Sequence, residues 1–200
     1  MNQSAIEPAA KELGNAIVES MESLRKKINP ETNVYAVVLV VLDDLSDFWF
    51  HANTEENFAR SKRTDLDRWY FGQFWSSGLS ASLDFSVLTR HLGEVVEWHK
   101  DEAPDNSNVV EWLVAMTLAM RNAREQGAFT FNGRAALIYC SIVDSRNAIW
   151  LEDLSAKFLN SADAYASAAL GIKSASSSWY RAGIDEGFAA FRTKYESYLN

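Results

Sequence analysis

A run of nine residues, VYAVVLVVL from Val34 to Leu42, limits the possible folds more than any other part of the chain. β-Branched and aromatic side chains favour a strand, and here apolar residues occupy consecutive positions instead of alternate ones. A strand with one solvent-facing side would alternate apolar and polar residues. The run therefore predicts a central strand that is buried on both faces. It is too short to cross a membrane as a helix, which needs about 20 apolar residues.

Two hairpins are predicted in the chain. After the first strand, the aspartates of DDLSD (Asp43–Asp47) favour a turn, and FWFHA from Phe48 returns as a second strand. Further on, Asn132-Gly133 is typical of a tight turn between a short strand at 129–131 and a long strand in RAALIYCSIVD. Apolar residues at helical spacing predict helices over most of the remaining chain. These are Ser4–Ile28, Asp84–Lys100, Asn106–Gln126, Asn147–Leu159, Ala162–Leu170 and Trp179–Leu199.

The order of these elements indicates the fold class. Hairpins join antiparallel strands, whereas parallel strands need a helical crossover between them. We therefore predict an α+β fold with a mainly antiparallel sheet of about four to five strands, packed with helices and flanked by the N- and C-terminal helices. A chain of 200 residues suits a single domain over 1–200.

The charge of the chain narrows its possible partners. It carries 27 acidic and 19 basic residues, a formal charge of −8. This charge repels nucleic-acid phosphates and suits a basic protein, although an acidic surface also serves solubility. The single cysteine, Cys140, allows no intramolecular disulfide, and the N-terminal segment lacks the pattern of a signal peptide. We expect a cytoplasmic protein that binds neither nucleic acid nor membrane.

No segment has the residue spacing of a metal or cofactor site. His91 and His99 would lie about 12 Å apart on a helix, which is too far for a shared metal. Cys140, in a predicted strand between Ile138 and Ile142, is typical of a buried, unreactive thiol. The DDLSD aspartates are better explained as turn formers than as ligands. We therefore predict no metal, no cofactor and no assigned catalytic residue.

The segment ANTEENF, which ends at Phe58, places two adjacent glutamates after a strand. The side chain of Asn53 or Thr54 can cap a helix that begins near Glu55. Both glutamates then lie in the first turn, where the helix dipole favours negative charge. A strand-to-helix junction explains the segment without catalysis.

Two features are candidates for binding another protein. The segment RWYFGQFW contains two tryptophans, and an exposed aromatic patch here would mark a binding surface, with core packing as the alternative. The segment Asp84–Glu111 carries seven acids against two bases, and its apolar face would leave many acids in solvent, where they either face a basic protein or simply form a solvated helix surface. The candidate surface consists of Trp69, Trp75, Glu97, Asp101 and Glu102.

Four segments resemble a bacterial family catalogued as domain of unknown function 4303. They are VYAVVLVVLDD, ANTEENF, RWYFGQFW, and YCSIVDS leading through a helix to KFLN. The resemblance spans residues 2–160, which leaves 161–200 as a C-terminal helical extension. The family has no established activity, so the resemblance implies no catalytic residues. Small acidic bacterial proteins of this type are similar in kind to the immunity proteins of toxin systems.

These observations favour a non-enzymatic protein-binding module, of which an immunity or antitoxin-like protein is one version. Two alternatives stay open. A structural protein would assemble with itself through an apolar two-fold interface. An enzyme of undetected class would need a deep pocket with convergent polar groups. Its acids would be those predicted near strand ends: Asp43, Asp44, Asp47 and Asp144.

Overall fold

The structure, a computed structural model, describes residues 3–42, 48–61, 64, 68–69, 109–143, 148–175 and 186–199. The helices are α1 (Gln3–Lys27), α2 (Glu55–Ser61), α3 (Val109–Glu125), α4 (Ala148–Leu159), α5 (Ala162–Ala175) and α6 (Glu186–Leu199). The strands are β1 (Val34–Leu42), β2 (Phe48–Thr54), β3 (Thr130–Phe131), β4 (Arg134–Ala135) and β5 (Leu137–Val143). The class is α+β, as predicted. The helix predicted over Asp84–Lys100 lies outside the described residues.

Strand β1 lies at the centre of a three-stranded sheet with the order β2-β1-β5. It pairs antiparallel with β2 and parallel with β5, so that Val38 lies between His51 and Tyr139. Strands β3 and β4 form a separate two-stranded sheet. The prediction of a mainly antiparallel sheet of four to five strands was wrong for the described residues, because the main sheet is mixed and has three strands. The chain reaches β5 by way of α3 and not by a hairpin from β2, and such a crossover lets β5 run in the direction of β1.

Strand β1 is buried on both faces, as its composition predicted. Its odd-numbered residues from Val37 to Val41 contribute to a core shared with α1 and α3. Its even-numbered residues from Ala36 to Val40 contribute to a second core, which includes Ala168 of α5. Helices therefore cover both sides of the sheet, and the two cores are separated by β1 itself.

Helices α1 and α3 pack against each other over the first face of the sheet. The apolar positions predicted for α1 are buried, from Ile6 through Ile17 to Leu24. Helix α3 is buried over most of its circumference, as expected for a helix with neighbours on several sides. Gly14 permits the close approach of the two helices, because a Cβ at this position would lie 3.2 Å from the carbonyl oxygen of Ala119.

The turn predicted at Asn132-Gly133 is confirmed. Both residues have positive φ angles, 50° and 73°, and they connect β3 to β4. Asn and Gly favour tight hairpin turns because they tolerate this left-handed region. Ala136 then separates β4 from β5, so the single long strand predicted after the turn is two strands that belong to different sheets.

Side chains from α4 and from the residue after it cover the outer edge of β5. Asn160 accepts a hydrogen bond from the Ile138 N–H at 3.0 Å and donates to the Ile138 carbonyl at 2.6 Å. The Ser155 hydroxyl accepts from the Cys140 N–H at 2.9 Å. These bonds take the place of the ladder that a further strand would form, which protects the edge from pairing with another chain. We call these two side chains and the β5 backbone that they bind the β5 clamp.

The C-terminal helix α6 packs into the first core. Tyr195 is fully buried, and its hydroxyl lies 2.6 Å from the Thr117 hydroxyl of α3. Lys194 forms an ion pair with Glu111, with 2.6 Å between Nζ and Oε1. Residues 186–199 of the predicted extension therefore contribute to the same core as α3.

Candidate binding site

The site begins with a β-bulge at the start of β1. The register between β1 and β2 shifts between Val34 and Ala36, which leaves Tyr35 as the extra residue. A bulge lets two consecutive residues contribute to the same face of a sheet. Tyr35 and Ala36 both join the second core, whereas Val34 joins the first. The bulge thus adds a phenol to the face that α5 covers.

Two tyrosine hydroxyls hold the segment that contains Trp69 against this face. Tyr35 donates to the carbonyl of Arg68 at 2.8 Å, and Tyr139 of β5 donates to the carbonyl of Trp69 at 2.9 Å. A buried phenol needs a partner for its hydroxyl, and these two carbonyls provide it. Burial raises the pKa of Tyr35 above its ordinary value. The position of Trp69 is therefore fixed from two neighbouring strands.

The ANTEENF segment positions two residues of the site, Tyr35 and Glu55. Thr54 caps α2, because its hydroxyl accepts from the Asn57 N–H at 3.1 Å, which confirms the predicted cap. Asn53 has another role: its amide donates to the Tyr35 hydroxyl at 2.8 Å and accepts from the Asn57 amide at 2.8 Å. Glu55 is the first residue of this helix. The junction therefore fixes both the phenol and the carboxylate of the site.

The guanidinium of Arg68 lies against three aromatic rings and one carboxylate. Its Cζ atom is 4.1 Å from the ring centroid of Tyr35, 5.1 Å from that of Phe58 and 5.3 Å from that of Trp69. The guanidinium also forms an ion pair with Glu55. A cation over an aromatic face is attracted by the ring quadrupole, and the attraction grows where water is excluded. We call these five residues the Trp69 site.

A cleft of about 210 Å³ opens beside the Trp69 site. Tyr35, Glu55 and Trp69 form part of its wall, so three of the five residues of the Trp69 site line it. The rest of the wall comes from the loop before β1, from the β3–β4 hairpin, from the start of β5 and from α5. Those residues include Asn33, Phe131, Arg134, Leu137, Ala164 and Ser167. We call this cavity the Trp69 cleft.

A larger, shallower groove of about 510 Å³ lies between α4 and α6. Leu154, Phe158 and Leu199 give it apolar walls, and Lys157 and Glu196 lie at its rim. Its lining is mixed, and its apolar side chains can be held only by packing, whereas two tyrosine hydroxyls hold the backbone at Trp69. The groove therefore serves as a natural comparison for the Trp69 cleft.

Glu152 of α4 is a buried carboxyl group that accepts a hydrogen bond from the Ser141 hydroxyl. Burial raises the pKa of Glu152 to about 7, and the bond from Ser141 acts in the opposite direction. A carboxyl group with this pKa can exchange a proton near neutral pH, as an acid–base catalyst must. It lines neither of the two cavities described above. Its partner Ser141 directly follows Cys140 of the β5 clamp.

Metal ligation finds little support in the described ranges. There, no three His, Cys, Asp or Glu side chains lie close enough together to hold an ion. His51 is buried in β2, and burial lowers its pKa. Cys140 is buried, as expected, and burial raises the pKa of its thiol to about 12, which disfavours the reactive thiolate. Since His91 and His99 lie outside the described residues, independence from metal stays a prediction.

Of the predicted binding surface, the structure describes Trp69 alone. Trp69 is half-buried and lines the cleft, so it belongs both to the packing and to an accessible wall. Glu111, counted in the acidic segment, is buried and paired with Lys194, so it adds nothing to a free acidic surface. Trp75, Glu97, Asp101 and Glu102 lie outside the described residues, as do Asp43, Asp44, Asp47 and Asp144.

Sequence reasoning missed the residues that complete the site. Tyr35 was interpreted only as part of an apolar strand, and Glu55 only as a charge at a helix start. Nothing local indicates that Arg68, thirteen positions after Glu55, pairs with it. One signal was present: the four segments that carry the family resemblance supply Tyr35, Glu55, Arg68 with Trp69, and Tyr139, and so they meet at one place.

Comparison with known proteins gives the family of the chain. Among the described residues, no helix combines the length and apolar character that crossing a bilayer requires. Neither a curated protein nor a solved structure matches the chain. Residues 13–161 match the family described as Domain of unknown function (DUF4303). This match covers most of the 200 residues and agrees with the resemblance carried by the four segments, and the chain therefore belongs to the DUF4303 family.

Proposed function

We propose that the protein is a cytoplasmic, non-enzymatic module that binds another protein through the Trp69 cleft. The observation that carries this proposal is a tryptophan held in place by two tyrosine hydroxyls at the wall of a small cleft. At about 210 Å³, the cleft is smaller than the roughly 300–1,000 Å³ typical of sites for small molecules and cofactors. A cavity of this size suits a single side chain of a protein partner.

The composition of the Trp69 site supports the same proposal. Trp, Tyr and Arg are the residues that most often carry the binding energy of protein interfaces. Here Tyr35, Arg68 and Trp69 contact one another. The backbone of Arg68 and Trp69 is already fixed before a partner binds. The conformational entropy lost on binding is therefore smaller than for a mobile segment.

The charge of the chain indicates the kind of partner. A formal charge of −8 attracts a basic protein and speeds its encounter with the surface. Glu97, Asp101 and Glu102 remain part of the proposed surface on this ground, and Trp75 remains part of it because tryptophan is enriched at interfaces. An immunity protein, which binds and blocks a toxin, is one version of this proposal and is compatible with a small acidic member of an uncharacterised family.

A peptide-display selection tests the proposal directly. The whole chain is immobilised, random peptides are selected, and the enriched peptides are measured against the variants Trp69→Ala and Phe158→Ala. Both substitutions remove a half-buried aromatic ring, one from the Trp69 cleft and the other from the α4–α6 groove. We expect enriched peptides to bind the Phe158→Ala variant like the wild type and to lose at least about tenfold in affinity for the Trp69→Ala variant.

The opposite pattern would refute the cleft as the binding surface. Peptides that bind Trp69→Ala as well as wild type, or that depend on Phe158, would place recognition elsewhere. Circular dichroism and urea unfolding of both variants show whether each substitution leaves the fold intact, so a loss of affinity is not mistaken for unfolding.

A further inference from the structure

We infer that the Trp69 cleft accepts an arginine side chain of the partner protein. The inference rests on the proposed function and names the group that the cleft recognises. The occupant would place its guanidinium against Trp69 and pair it with Glu55, both of which line the cleft.

The first support is that the chain already holds one guanidinium with the same residues. Arg68 lies 4.1 Å from the Tyr35 ring centroid and 5.3 Å from that of Trp69, and it pairs with Glu55. A planar, weakly hydrated cation stacks on aromatic faces more readily than an ammonium group does. The chemistry that a partner's arginine needs is therefore present at the wall of the cleft.

The second support is the remaining capacity of Glu55. An ionised carboxylate has two oxygens and about four acceptor positions. Arg68 contacts the Oε1 atom of Glu55. The Glu55 side chain is 45% exposed, against 23% for that of Arg68, so the carboxylate is the more accessible member of the pair. It can accept from a second donor without giving up the first.

The local charges do not by themselves select a ligand. Among the described residues, Glu55 and Arg68 compensate each other, and the exposed Arg134, which also lines the cleft, adds a positive charge. The negative faces of the aromatic rings and the exposed carboxylate of Glu55 are the groups that favour a cation here. Arg134 then weakens the binding of a cation, and its removal would strengthen it.

Capped tripeptides provide the test, with the indole N–H resonance of Trp69 as the readout. Acetyl-Gly-Arg-Gly-amide is titrated into the uniformly ¹⁵N-labelled full chain, and the indole signal is assigned with the Trp69→Phe variant. The same titration is made with lysine, citrulline and glutamate in place of arginine. Citrulline keeps the shape of arginine and removes its charge, so it separates cation binding from packing.

We expect the arginine peptide to shift the Trp69 signal and to bind at least about fivefold more tightly than the citrulline peptide. Glu55→Gln should weaken the arginine peptide about fivefold, and Arg134→Gln should strengthen it about twofold. Because Arg134 is exposed, its variant tests the inference even if Glu55→Gln disturbs the fold.

Three results would overturn the inference. They are tighter binding of the glutamate peptide, equal binding of the arginine and citrulline peptides, and no response of Trp69 to arginine. None of them touches the proposed function, which fails if selected peptides are indifferent to Trp69→Ala or depend on Phe158. If the arginine peptide binds but the selected peptides do not depend on Trp69, the inference about arginine stands and the proposed function fails.

Discussion

Strand β5 supplies neighbouring residues to two polar regions that differ in almost every other respect. The backbone of Ile138 and Cys140 bonds to the Asn160 and Ser155 side chains in the β5 clamp. Tyr139, between them, sends its hydroxyl to the Trp69 site. In the clamp, side chains satisfy backbone groups at the edge of the sheet. In the Trp69 site, charged and aromatic side chains meet one another beside an open cleft.

The difference separates a structural cluster from a binding surface. The clamp closes a sheet edge that would otherwise be open to pairing with a foreign strand. Its polar groups therefore stabilise the fold and are not available to a partner. The Trp69 site keeps a half-exposed carboxylate and a ring at an accessible wall. We therefore expect changes in the clamp to reduce stability, and changes at the cleft to alter binding more than stability.

The largest effect is expected for Asn160→Ala. The substitution removes both bonds to Ile138 and a bond from Arg124, whose Nη1 lies 2.7 Å from the Asn160 side-chain oxygen. Backbone groups left without partners at the β5 edge should lower the free energy of unfolding by about 3 kcal/mol. Urea unfolding measures this loss. Asn15→Ala, at an exposed position of α1, is the matched control and should change stability by less than about 0.5 kcal/mol.

A pH-dependent difference of about 2 kcal/mol is expected for Glu152→Gln. Burial raises the pKa of Glu152 from 4.5 to about 7, so the folded protein holds the proton more tightly than the unfolded chain. The stability from the protonated form is complete below about pH 4.5 and is lost as the pH rises through about 7. Wild type should therefore lose stability relative to Glu152→Gln over this interval.

Unfolding measured in parallel from about pH 4.5 to about pH 8 gives the answer. The control is Glu125→Gln, because the Glu125 side chain is 70% exposed. Curves for wild type and Glu152→Gln that stay parallel throughout would mean that Glu152 is more solvated than its position beside Ser141 indicates.

The smallest effect, about 1 kcal/mol, is expected for Tyr35→Phe. The change leaves the Arg68 carbonyl and the Asn53 amide without the hydroxyl that joins them. Tyr198→Phe, on α6, is the control. If the comparison holds, Tyr35→Phe also shifts the Trp69 indole signal and weakens arginine-peptide binding by more than its cost in stability. A change in stability with unaltered binding would make the Trp69 site structural, like the clamp.

Local sequence was enough to predict the elements whose signal is periodic. The stripe from Ile6 to Leu24 and the doubly apolar β1 both follow from one-dimensional patterns. The direction of β5 does not, because a strand carries the same apolar pattern whether its neighbour is parallel or antiparallel. The hairpin at Asn132-Gly133 was predicted correctly, but the break at Ala136 that moves β5 to another sheet has no local marker.

The site was less predictable than the fold for a related reason. Trp69 was found because aromatic density is visible in the sequence, and Thr54 because capping is local. The bulge at Tyr35 depends on the register with β2, and the pair between Glu55 and Arg68 depends on how the chain returns to the sheet. Contacts of this kind are set by tertiary structure, so they become visible only with coordinates.

The parallel pairing of β1 with β5 has a consequence for the synthesis of the protein. During translation β5 follows β1 by roughly 100 residues, which corresponds to a delay of roughly 5 to 20 seconds. Over that interval β2 can cover one edge of the nascent β1, but its other edge has no native partner. Val34–Leu42 is apolar and β-rich, a composition that favours association between incomplete chains. The strand that organises the finished core is thus the one most exposed to aggregation while the chain is still on the ribosome.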